Sequence, residues 1–248
     1  MPFDIIFDQH LQNLSKYRAL VLADQECLDG EQMNLIREFV AHGRGLVATE
    51  QSSLYTTRRL RRPDFGLKDL FKISAPLWQG PRAPEENLEI GPRQNTIGRG
   101  RVAYIPSVQP AIEKSPAANM SSKYWKLPLN SKELIEAVRW AAGGSLSLEV
   151  TAPDTGALVA ELMDQPAHGR RLVHLVNYAG PQGKQVSDVE VSVELPKGNR
   201  TRAITLLSPD GNESRTVAGR VEQGRVGFMV PCIETYTMAV LELEQSLA

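Results

Sequence analysis

Two carboxylates and two serines stand where chemistry is possible. Asp24 follows the apolar run Ala19–Ala23, and Glu50, Ser52 and Ser53 follow Leu46–Thr49. If both runs are parallel strands, all four residues leave the sheet at its carboxyl ends, where α/β folds bind ligands, and they share one crevice. Glu26 and Cys27 join them there. Carboxylates in such a place act as general acid or base, or hold hydroxyl groups, and a serine beside a base is a nucleophile for ester hydrolysis. The competing reading is structural. Glu50 can pair with the guanidinium cluster Arg58-Arg59-Leu60-Arg61-Arg62. Ser52 and Ser53 lack the Gly-x-Ser-x-Gly pattern and an assignable histidine. Cys27 has no glycine-rich elbow either and reads as a small buried hydrophobe.

Other chemistries find little support. His10, His42, His168 and His174 fall in separate elements with no metal-ligand spacing, so no metal and no cofactor is expected. His42 suits a helix C-terminus, and His174 a hydrogen-bonded place within a strand. Lysine plus arginine total 28 against 29 acidic residues, which gives no general attraction for nucleic acid. The arginine cluster is the local exception, and Arg58 and Arg61 are candidates for binding or an interface. Tyr55, Trp78, Tyr124 and Trp125 lie in irregular segments, where aromatic side chains serve as sugar platforms or interface anchors; interface use is the preferred reading. The two cysteines, Cys27 and Cys232, make no disulfide framework. The N-terminus lacks a signal-peptide pattern and no apolar run reaches the roughly 20 residues that span a bilayer, so a soluble, cytoplasmic chain is expected.

The elements that must position these residues fall into two halves. Ala19–Ala23 reads as a strand buried on both faces. Asp29 and Gln32 have capping-box spacing, and Met33, Ile36, Phe39 and Val40 recur at helical intervals until Gly43-Arg44-Gly45. Leu46–Thr49 is a second strand, completing a βαβ unit. Leu67, Leu70 and Phe71 suggest a short amphipathic helix, and Pro76–Asn95 a long irregular connection. Arg101–Ile105 restores a strand, and Asn130 and Glu133 open another helix that closes at Gly143-Gly144. From Ser145 the apolar period becomes two, most cleanly in Val189–Leu195. Strands around Leu148, Val159, Val173, Leu206, Val226 and Val240, separated by turn signals such as Pro209-Asp210-Gly211, predict an antiparallel sandwich of seven or eight strands.

The first half is similar to the trimerisation domain of family 42 glycoside hydrolases. The residues that carry this are Tyr17–Ala23, Cys27-Leu28-Asp29-Gly30-Glu31-Gln32, Phe39-Val40-Ala41-His42-Gly43, Gly45–Glu50 and Gly100–Pro106. Ser53-Leu54-Tyr55 and Arg62–Phe71 resemble glycosidases that contain the domain. Arg170–Tyr178 and Val230–Tyr236 resemble their closing β-domain. The resemblance implies a flavodoxin-like α/β domain, related to class I glutamine amidotransferases, over 1–144, then an antiparallel β-sandwich over 145–248. It also implies a homo-oligomer, a trimer first and a dimer as the generic alternative. The (β/α) barrel that bears the family's general acid and nucleophile, held about 5 Å apart in a retaining enzyme, has no counterpart here.

The expectation is therefore a non-catalytic oligomerisation and accessory module, with a carbohydrate ligand or a separate glycosidase barrel as partner. The alternatives are a stand-alone glycosidase or esterase built on Asp24, Glu50, Ser52 and Ser53, and a carbohydrate-binding module that uses the sandwich.

Overall fold

The computed structural model describes residues 2–75, 92–112, 126–153, 158–178, 185–211 and 214–245. Trp78, Tyr124 and Trp125, and most of the Pro76–Asn95 connection, lie outside them. The chain forms two compact units, Ile5–Ser145 and Leu146–Ala248, the second counting Met1–Asp4. Most of the regular structure is β, in three sheets with few helices.

The first unit opens with 3-10 turns over Asp8–Lys16 that bury Leu11 and Leu14. Strand β1 (Ala19–Leu22), helix α1 (Gly30–Ala41) and strand β2 (Gly45–Thr49) follow. The single-turn helix α2 (Lys68–Phe71), strands β3 (Arg93–Ile97) and β4 (Gly100–Ile105), and helix α3 (Ser131–Ala141) complete it. The sheet order is β1-β2-β4-β3, with β1, β2 and β4 parallel and β3 antiparallel to β4. Successive strand residues face opposite ways, so each strand feeds two layers. Leu46, Ala48, Val102 and Tyr104 meet Met33, Ile36, Phe39 and Val40 of α1. Val47, Ala103 and Ile105 meet Ala137 and Ala141 of α3 on the opposite face.

The capping box of α1 is present: Asp29 Oδ1 accepts from the Gln32 amide at 2.8 Å, and Gln32 Oε1 accepts from the Asp29 amide at 2.8 Å. Asn130 does not cap α3. Its side chain turns instead to the segment after β4, accepting from the Gln109 amide and donating to the Ser107 carbonyl, both at 2.9 Å. Two other expectations are corrected. β1 is not buried on both faces, because it is an edge strand and Val21 stays 46 % exposed; the doubly buried strand is β2. Arg93–Asn95 belongs to β3 rather than to an irregular connection, a strand whose polar residues lie on an exposed edge and so lack an apolar period.

The second unit comprises β5 (Leu148–Thr151), β6 (Leu158–Gln165), β7 (Arg170–Asn177), β8 (Val186–Glu194), β9 (Asn199–Leu207), β10 (Arg215–Val217), β11 (Gly219–Glu222), β12 (Arg225–Ile233) and β13 (Tyr236–Gln245). These make a five-stranded sheet, β10-β9-β13-β7-β6, and a four-stranded sheet, β11-β12-β8-β5, both antiparallel throughout. Val173, Leu175, Ile204 and Leu241 of one sheet share a single core with Leu148, Val191, Val226 and Phe228 of the other, the arrangement of a β-sandwich. Among the described residues of this unit the one helical element is the 3-10 turn Pro166–His168. Asp210 ties the turn after β9 to the turn after β12, accepting from the Thr235 and Tyr236 amides at 2.8 and 3.2 Å. Those amides, Thr235 first, hold its carboxyl below the usual range.

Candidate functional site at the strand ends

Asp24 and Glu50 do leave the sheet at the carboxyl ends of β1 and β2, and both adopt left-handed backbone, φ +52° and +51°. The chain turns sharply there, and local hydrogen bonds hold it. The Asp24 amide donates to Thr49 Oγ1 at 2.9 Å, and Asp24 Oδ1 accepts from the Gln51 amide at 2.9 Å. Glu50 donates its amide to the Ile105 carbonyl at 2.9 Å, and its Oε1 accepts from the Val108 amide at 3.3 Å. Burial pushes the Asp24 carboxyl above the usual range, opposed by the Gln51 amide and reinforced by the charge of Glu26.

Tyr104 lies below these carboxylates at the end of β4. Its ring is fully buried against Phe65 and Phe71, and its hydroxyl donates to the Glu50 carbonyl at 2.6 Å. Burial first, then the negative charges of Glu50 and Asp24, drives its pKa well above the ordinary phenol value. Tyr104→Phe is expected to lower the stability of this unit by about 1–2 kcal/mol, the scale for leaving a carbonyl without its donor, read as a lower denaturant midpoint. No change would mean that the hydroxyl does not hold the Glu50 turn.

The serines are committed elsewhere. Both are fully buried. Ser52 Oγ is within donor distance of two backbone carbonyls, Thr49 at 2.7 Å and Leu22 at 3.0 Å. Ser53, at φ +67°, accepts at Oγ from the Leu67 amide at 3.1 Å, and its own carbonyl accepts from Gly66 at 2.9 Å. These contacts lock the β2–α2 connection, and a nucleophile without solvent access meets no substrate.

The arginine cluster sits on a hairpin. Tyr55 bridges Cys27 on one side and Arg61 on the other, and the turn closes with the Thr56 amide on the Leu60 carbonyl at 2.9 Å. Arg59 pairs with Glu26, and Arg62 donates to the Leu28 carbonyl at 2.8 Å. Arg61 donates to the Arg62 carbonyl at 3.4 Å. Arg58 and Leu60 are exposed at the tip, Leu60 by 65 %. Glu26 is thus an acidic neighbour of this cluster, through Arg59. Cys27 is half-buried in the same bridge.

Sequence reasoning missed Thr49, Tyr104, Val108 and Asn130, which hold the carboxylate loops. The available signal was a tyrosine at the end of an otherwise apolar strand, since a buried phenol needs a partner. Among the described residues there is no cluster of three or more His, Cys, Asp or Glu able to hold a metal ion. The histidines serve locally: His42 Nδ1 lies 2.7 Å from the Glu38 carbonyl, and His174 Nδ1 lies 2.6 Å from the Tyr236 hydroxyl. Among these residues, too, no helix is long and apolar enough to cross a membrane.

An α/β unit with helices on both sheet faces and an antiparallel β-sandwich define the class of fold. No family model matches the chain, and no curated protein does. Solved structures do, and several are glycosidases. α-L-Fucosidase isoenzyme 2 from Paenibacillus thiaminolyticus matches at 16 % identity and a TM-score of 0.57, over 94 % of this chain and 42 % of its own. A catalytic mutant of Gan42B, a GH42 β-galactosidase from G. stearothermophilus, matches at 14 % identity and a TM-score of 0.56, over 99 % of this chain and 34 % of its own. The β-galactosidase from Bacillus circulans sp. alkalophilus matches at 12 % identity and a TM-score of 0.55, over 92 % and 34 %. The chain therefore shares the fold of a part of these enzymes and spans well under half of their length.

Proposed function

We propose that the chain is a non-catalytic oligomerisation and accessory module related to glycoside hydrolases. The observation that carries this reading is the match of nearly the whole chain to 34–42 % of several glycosidases. The state of the candidate nucleophiles supports it, since Ser52 and Ser53 are fully buried and bonded to backbone. In this reading the first unit is a reduced flavodoxin-like domain, the amidotransferase-related scaffold of the trimerisation domain, ending near Gly144. Its parallel β1, β2 and β4 between α1 and α3 are consistent with that assignment. The exposed tip of the hairpin, Arg58 and Leu60, with Tyr55 and Arg61 at its base, would meet another copy or a separate glycosidase barrel, and Trp78 and Trp125 are proposed as further anchors.

A second reading, a stand-alone hydrolase, draws on one observation. Asp24, Glu50 and Ser53 all hold left-handed backbone at the strand ends, and such strain concentrates at functional sites. A panel of chromogenic glycosides and esters separates the two. Background turnover is expected, unaltered by Glu50→Gln or Ser53→Ala. Robust turnover that Glu50→Gln abolishes, with an unchanged thermal midpoint, would overturn the accessory reading.

A further inference from the structure

We draw no further inference here: the strongest candidate, the apolar outer face that Val159, Met163, Val176 and Met238 form on the five-stranded sheet of the second unit, carries nothing because nothing in the structure shows what covers it.

Discussion

Gly45→Ala is expected to destabilise the first unit by about 3 kcal/mol, the upper part of the range for overpacking a filled interior. Gly45 opens β2 where α3 crosses it. A Cβ built there would lie 2.3 Å from the carbonyl oxygen of Ala141 and 2.9 Å from its Cβ. The obstructing atom is helix backbone, so relief requires α3 to move away from Val47, Ala103 and Ile105, which it covers. Gly100 presents the same constraint on the opposite face, its Cβ falling 2.2 Å from the Val40 carbonyl of α1. Gly30→Ala is the control. Nothing lies within 4 Å of its Cβ, and at the start of α1 alanine is expected to be neutral or stabilising by a few tenths of a kcal/mol. Chemical denaturation of the three proteins reads the difference directly, and a Gly45→Ala variant as stable as Gly30→Ala would disprove the close packing of α3 on β2.

Phe71→Ala is expected to cost about 3–5 kcal/mol, the range for truncating a buried aromatic side chain. Phe71 is fully buried, with its ring centroid 5.6 Å from that of Phe65 and 5.2 Å from that of Tyr104. α2 is a single turn and has little stability of its own, so this contact fixes its place. The loss should spread to the strand ends, because Tyr104 holds the Glu50 turn and the Asn95 amide group donates to the Phe71 carbonyl at 2.7 Å. Leu60→Ala, at the exposed hairpin tip, should change stability by no more than about 0.5 kcal/mol. Equal midpoints for the two variants would place Phe71 outside the core. Hydrogen exchange would show whether the Glu50 and Val108 amides open together with α2.

Much of the fold was legible because local rules and burial agree. The capping box at Asp29, the helical spacing from Met33 to Val40, and the strict alternation of Val189–Leu195 each appear as anticipated, since each reports a neighbour three, four or two residues away. β3 and the absent cap at Asn130 were illegible for a shared reason. The residues of β3 are held by pairing with β4, and Asn130 is drawn to Ser107 and Gln109 by a chain reversal that no local pattern announces.

By its own order of residues the chain determines most of its strands and helices, though not β3, and where the period changes from helical to alternating, because those properties depend on spacing along the backbone. It also places Asp24 and Glu50 just after apolar strands. What those carboxylates do is decided by tertiary structure. β1, β2 and β4 must lie side by side before Tyr104 can reach the Glu50 carbonyl, before the Val108 amide can meet the Glu50 side chain, and before Leu22 and Thr49 together can claim the Ser52 hydroxyl. Hydrogen bonds between residues 30 to 58 positions apart carry no local sequence signature. They form because burial leaves each polar group the choice of a partner or a desolvation cost of a few kcal/mol, and the packed sheet supplies the partner.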